Sequence, residues 1–353
     1  MAVGRSDVAD DPVGFDVPDP DEFRPTGVFC NRHLQSVLAS LRIRSAMVRR
    51  RAAPLLQSSV DMVLECGDGV RLAGAYSAAP GEQRPLVVLI HGWEGSADSL
   101  YLVSLGARLF AAGYDIFRLN LRDHGNTHHL NRELFHSCRL SDATGALRAL
   151  ARRFPGRPLM LAGYSLGGNF ALRVGLNAPA EGVDLNAVLA VSPVLDPRRT
   201  LAALESGWPI YRYYFMRKWR RSLLRKAELF PDAYDFSDIH ELESLTAMTA
   251  FFVERYTGYP SLEEYFLGYA LIGDRLRGLS VPSLLIAAED DPIIPAADLD
   301  SLDRGSALRV LRLRHGGHCG FFDGWRLSSW VEDRAVDLFD SRKAALAGQG
   351  GNA

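Results

Sequence analysis

The chain has 353 residues, enough for one large α/β domain with an insertion or for two modest domains. Apolar residues make up 47% and charged residues 23%, ordinary globular usage, and a net charge of -2 argues against a protein whose main task is binding nucleic acid. No apolar run approaches the ~20 residues that span a bilayer.

The N-terminal stretch is polar and acidic (Ser6, Asp7, Asp10, Asp11, Asp16, Asp19), with no basic segment leading into an apolar one as in a signal peptide. Residues 1–25 are therefore expected to form a polar tail. Cys30, Cys66, Cys138 and Cys319 are scattered and form no C-x-x-C pair, which predicts free thiols and a cytoplasmic location. Alternating segments 61–66 and 70–76, joined by Gly67-Asp68-Gly69, predict a hairpin. Leu86-Val87-Val88-Leu89-Ile90 is a continuous apolar run rich in β-branched residues and predicts a strand buried on both faces.

Beyond it, apolar periodicity predicts a helix near 99–112 ending at Gly113, a strand at 115–120, a helix at 140–153 and a strand at 158–163. Later strands are expected at 187–192, 283–288 and 308–313, with a final helix from about 325 to 340. This alternation predicts an α/β fold built on a mostly parallel sheet with helices on both faces. The stretch between strands 187–192 and 283–288 is aromatic and helical in period (Trp208, Tyr211, Tyr213, Tyr214, Phe215, Trp219) and predicts an inserted helical cap. The expected division is a core at 26–200, a cap at 201–278 and a second core part at 279–345.

Gly163-Tyr164-Ser165-Leu166-Gly167 fits G-x-S-x-G after an apolar strand and before a helical pattern, the context of a nucleophile elbow in an α/β-hydrolase fold. A serine hydroxyl is a weak nucleophile and needs a base, an orienting acid and donors for the developing oxyanion. Asp291 follows strand 283–288 and directly precedes Pro292-Ile293-Ile294-Pro295, which makes it the preferred acid, with Asp290 and Asp196 as rivals. His318 lies in a glycine-rich loop after the last strand and is preferred over His315 as the base. The order Ser, Asp, His matches the α/β-hydrolase order. Backbone N–H groups of Trp93 and Leu166 are expected to form the oxyanion hole. His91 reads as structural, and the histidines at 124, 128 and 129 read as a loop near the site, so no metal is expected.

These residues resemble a known family. Asn31-Arg32-His33-Leu34-Gln35-Ser36, His91-Gly92-Trp93-Glu94-Gly95-Ser96, Asn120-Leu121-Arg122-Asp123-His124-Gly125, Gly163-Tyr164-Ser165-Leu166-Gly167-Gly168-Asn169, Asp290-Asp291-Pro292 and Gly316-Gly317-His318-Cys319-Gly320-Phe321 have counterparts, in this order, in the YheT-like hydrolases. These are also called the embryogenesis-associated or ABHD1/ABHD2/ABHD3-like group. The resemblance spans roughly 28–335 and implies an esterase or lipase-like activity on carboxylic esters without a cofactor, with Ser165, Asp291 and His318 as the triad. This chain departs at Arg32, where the family usually has proline, at Asp123, where glycine is common, and in the aromatic, basic segment 205–226.

The run 217–226 (Arg217, Lys218, Trp219, Arg220, Arg221 through Arg225, Lys226) reads as an ordinary helix with Trp219 and Leu223 inward and its charges wet, in preference to a membrane-facing surface. The function expected is hydrolysis of a small-molecule ester or acyl lipid through an acyl-enzyme. An acyltransferase sharing that intermediate and a non-catalytic binding protein on the same fold are the competing readings.

Overall fold

The computed structural model describes residues 17–41, 44–81 and 84–350, so most of the polar tail expected at 1–25 lies outside the described residues. Its centre is an eight-stranded sheet. In chain order the strands are β1 (Ser59–Gly67), β2 (Val70–Ser77), β3 (Leu86–Ile90), β4 (Asp115–Leu119), β5 (Leu159–Tyr164), β6 (Leu185–Val191), β8 (Ser283–Ala288) and β10 (Leu308–Leu313). Their spatial order is β1-β2-β4-β3-β5-β6-β8-β10. Only β2 runs against its neighbours; every other pairing is parallel. Two short strands, β7 (Gly273–Leu276) and β9 (Leu302–Arg304), pair separately.

All five residues of β3 are buried, as a run apolar on both faces requires. Its side chains alternate between two cores. Leu86, Val88 and Ile90 pack with α5 (Leu140–Arg153) and α6 (Leu166–Asn177), whereas Val87 and Leu89 pack with α4 (Leu100–Ala111) and α11 (Trp330–Gly350). Leu102, Leu105 and Leu109 form the buried stripe of α4, and Gly113, at φ +89°, turns the chain into β4.

Among the described residues, three α-helices precede the sheet: α1 (Arg32–Ser40), α2 (Ser45–Arg51) and α3 (Ala53–Gln57). Asn31 caps α1, its side chain accepting from the N–H groups of His33 and Leu34. Arg32 thus occupies the first helical position, where the N–H is unpaired in any case and proline is favoured, so the family proline and this arginine serve the same geometry.

Between β6 and β8 come α7 (Pro197–Ser206), α8 (Pro209–Leu229), α9 (Leu245–Tyr256), α10 (Leu262–Leu267) and then β7. Two sequence expectations shift. Strand β6 starts at Leu185, since Leu185 pairs with Leu159. The final helix starts at Trp330, because an antiparallel bridge between Phe322 and Ser329 closes the preceding segment into a turn. The expectation that the 217–226 charges all stay wet also fails: Lys226 is fully buried beside Asp123. All four cysteines are free.

Candidate active site

Ser165 lies between β5 and α6 in a backbone conformation that side chains seldom adopt, φ +55° and ψ -120°. The flanking glycines explain how the turn closes. A Cβ on Gly163 would come 2.1 Å from the Gly167 carbonyl oxygen, and one on Gly167 would come 2.3 Å from the Ile90 carbonyl oxygen. Neither position accepts a larger residue without moving backbone. Although Ser165 precedes the first turn of α6, its hydroxyl makes no capping bond there and meets His318 Nε2 at 3.0 Å.

On the other side of the ring, His318 Nδ1 is 2.8 Å from Asp291 Oδ2. Asp291 Oδ1 accepts from the N–H groups of Ile293 and Ile294, at 2.8 and 2.9 Å. The loop before Pro295 therefore fixes the carboxylate while leaving its second oxygen for the imidazole. Asp290 points elsewhere: it accepts from the Gly317 N–H at 2.9 Å and meets His315 Nδ1 at 3.3 Å. Asp196 caps α7 by accepting from the Arg198 N–H. Burial disfavours the His318 imidazolium, but the adjacent Asp291 carboxylate, aided by Cys319, outweighs it and holds the proton affinity well above the ordinary histidine value.

The Asn31–Ser36 segment also reaches this site. The Ser36 hydroxyl accepts from the His318 N–H at 2.8 Å and donates to the Arg32 carbonyl at 2.7 Å. Gln35 is buried, donating to the carbonyls of Phe29 and Phe322 and accepting from the Phe322 N–H. A Cβ on Gly317 would come 2.4 Å from the Arg32 carbonyl oxygen. Helix α1 thus clamps the histidine loop. Gln35 and Ser36 carry no chemical signature of their own in the sequence, where only the family resemblance marks them.

Facing the serine, the Gly92 N–H donates to the Tyr101 hydroxyl at 2.9 Å. Among the described residues neither the Trp93 nor the Leu166 N–H meets a backbone acceptor. Leu166 is also the first residue of α6, where unpaired N–H groups and the helix dipole favour negative charge. His91 is fully buried, its Nδ1 2.8 Å from the Gly92 carbonyl oxygen and its Nε2 accepting from the Leu121 N–H. His124 receives the Glu94 N–H, and His128 Nε2 bonds the Ser222 hydroxyl at 2.9 Å. Burial lowers the proton affinity of all three, as it should for hydrogen-bonded neutral rings.

Ser165 opens onto two chambers. The larger, of about 530 Å³, is lined by Arg49, Trp93, Glu94, Tyr214, Lys218 and His318 among others. Burial pushes the Glu94 carboxyl up to about 7 against the pull of Lys218. The smaller chamber, of about 100 Å³, is mostly apolar. Trp93 and Phe215 border both, stacked with ring centres 5.1 Å apart, and Trp219 packs edge-on against Trp93. The aromatics of the basic segment thus divide between chamber walls and exposed surface, where Trp208 and Tyr213 stand.

The model of the alpha/beta hydrolase family matches residues 87–326, which carry the elbow, the acid and the histidine. This chain belongs to the alpha/beta hydrolase family. Within it, the Escherichia coli protein YheT, named as an esterase, is 28% identical over 326 residues, 90% of this chain and 92% of that one. This agrees with the resemblance read from the motifs. The mouse (Mus musculus) phospholipase ABHD3 is 22% identical over 268 residues, covering 72% of this chain and 63% of its own. Among solved structures, the Pyrococcus furiosus esterase Pf2001 superposes with a TM-score of 0.53 at 14% identity, over 80% of this chain and 92% of that one. At that identity the alpha/beta hydrolase fold is what the two share. No helix among the described residues is long and apolar enough to cross a membrane.

Proposed function

We propose that this protein is a serine hydrolase of carboxylic esters working through Ser165, His318 and Asp291. The observation that carries the reading is the unbroken chain of contacts from Ser165 Oγ through both ring nitrogens of His318 to Asp291. The esterase and phospholipase names of its relatives support an ester as the substrate.

In this mechanism His318 Nε2 removes the proton as Ser165 Oγ attacks the ester carbonyl carbon. The carbonyl oxygen becomes an oxyanion held by the N–H groups of Trp93 and Leu166. Collapse breaks the bond to the alkoxide, which leaves with the proton from His318. Water, deprotonated by the same nitrogen, then attacks the acyl-serine; the bond to Ser165 Oγ breaks, that oxygen takes the proton back from His318, and the carboxylic acid leaves. Asp291 stays ionised throughout, holding the tautomer and stabilising the imidazolium. In the division we adopt, residues 201–278 form a cap over core parts 26–200 and 279–345. The smaller chamber takes the acyl group, and the larger takes the leaving alcohol.

A fluorophosphonate probe tests this directly. Wild-type protein should be labelled at Ser165 and should release acid and alcohol in equal amounts from phenyl butanoate. Absence of labelling in folded protein would overturn the reading, and product appearing as a new ester with added alcohol would replace hydrolysis by acyl transfer.

A further inference from the structure

Helix α8 presents two faces of different chemistry. Tyr211, Met216, Trp219 and Leu223 are buried on one. The other carries Ile210, Tyr213, Tyr214, Arg217, Arg221 and Arg225, whose spacing of three and four residues aligns them in one stripe. The stripe is exposed along its whole length, roughly 22 Å at 1.5 Å per residue. Its first half is apolar: Ile210, Tyr213 and Tyr214 are 49%, 63% and 45% exposed. Its second half is basic. Arg225 pairs with Glu228 at 2.8 Å, but Arg217 and Arg221 meet no carboxylate among the described residues.

The stripe borders the larger chamber. Ile210 and Tyr214 line that chamber and also face solvent, so they form part of its mouth. Leu41, at the end of α1, and Arg49, on α2, are likewise both lining and exposed. Ser165 and His318 stand in the wall of the same chamber. Its acidic members are Glu94, which burial holds up to about 7, and Asp98, which Arg118 meets at 3.3 Å. With Arg49 and Lys218 in the same wall, the charge around the mouth is positive on a chain whose net charge is -2.

We infer that this stripe of α8 docks on an anionic lipid surface, with the mouth of the larger chamber turned toward the lipid. Tyrosine rings settle at the depth of the headgroups, and each basic group near an anionic leaflet tightens attachment about fivefold. The division along α8 suits such a surface. Ile210 and Tyr213 enter it, while Arg217 and Arg221 meet headgroup phosphates with their forked guanidinium groups. A second copy of this chain is a poorer occupant, because the same face would oppose itself and Glu228, at its end, is already paired. Docked this way, the protein receives an ester from the lipid surface and passes it to Ser165 through the larger chamber. That last step rests on the serine-hydrolase reading above; the docking does not.

Cosedimentation of the full chain with vesicles tests this. Phosphatidylcholine vesicles containing about 30% phosphatidylglycerol should bind it about 10-fold or more tightly than phosphatidylcholine alone. Raising salt from about 0.1 M to about 1 M should abolish that difference by screening. Arg217→Gln combined with Arg221→Gln should weaken binding to the anionic vesicles about 25-fold, while hydrolysis of soluble phenyl butanoate stays at the wild-type rate. Tyr213→Ser should lower binding severalfold. Arg152→Gln combined with Arg153→Gln removes the same charge from the exposed end of α5, which leads into the start of β5 and so lies at the end of the sheet away from the elbow. That control should bind as wild type does. Wild-type protein without a preference for anionic vesicles, or equal binding by the two arginine-pair variants, overturns the inference. So does a dimer in sedimentation that Tyr213→Ser dissociates, which assigns the stripe to a second copy. Vesicle binding by folded protein that fluorophosphonate does not label keeps the docking surface and overturns the hydrolase reading instead.

Discussion

Lys226 on α8 donates to Asp123 Oδ1 at 2.7 Å, in a site closed to solvent on both partners. The same ammonium donates to the carbonyls of His128, Asn131 and Glu133, at 3.3, 2.7 and 3.2 Å. Asp123 Oδ2 accepts the Phe135 N–H. One lysine therefore ties the helix over the site to the loop that follows β4. Burial lowers the pKa of Lys226 and raises that of Asp123, and their contact opposes both shifts. Two departures from the family pattern, the aspartate at 123 and the basic helix, become one interaction.

Removing one partner strands the other. Lys226→Met is expected to destabilise the fold by about 3–5 kcal/mol, because an uncompensated carboxylate is left buried. Adding Asp123→Gly should recover much of that loss, since it removes the stranded charge and relieves the left-handed backbone of Asp123, at φ +60°. Denaturant melts of the two variants measure the difference; equal stabilities would refute the coupling.

Substitution at the elbow separates chemistry from strain. Ser165→Ala and Ser165→Gly should both lose ester hydrolysis by about 1000-fold or more and escape fluorophosphonate labelling. The glycine variant should melt at the higher temperature, by an amount equivalent to about 1 kcal/mol, because φ +55° strains alanine and not glycine. Calorimetry on the pair checks this.

The protonation of His318 sets the pH dependence. The base must be neutral to accept the serine proton, so activity is present above its pKa and lost as pH falls through it. Asp291 raises that pKa, which places the acid limb of kcat/KM above pH 6.5, the ordinary value. Asp291→Asn should move the limb downward and cut kcat by roughly 10⁴-fold. A limb unmoved by this substitution would show that Asp291 is not the partner that sets it.

Adjacent carboxylates should give unequal losses. Asp290→Ala removes the acceptor for the Gly317 N–H, and with it the shape of the histidine loop, without touching the ring of His318. Its expected effect is about 10-fold in kcat/KM, from misplacement alone. Steady-state kinetics of both variants should rank them with Asp291→Asn far lower.

The sequence by itself determined the sheet and the elbow. Five consecutive apolar residues at Leu86–Ile90 suit a strand covered on both faces, and glycine is required at 163 and 167 because a Cβ there would lie 2.1 and 2.3 Å from backbone carbonyl oxygens. Both are local constraints, written within a few residues of where they act. What the tertiary structure decided depends on distant partners. Asp290 and Asp291 are chemically the same in sequence, and they part only because one meets the Gly317 N–H and the other His318 Nδ1. Gln35 and Ser36 acquire a task only when α1 packs on the histidine loop. Lys226 is buried because a carboxylate and three carbonyls converge on it from the loop after β4. The pattern of a helix records which face is apolar, but not which charge on it will find enough partners to leave water.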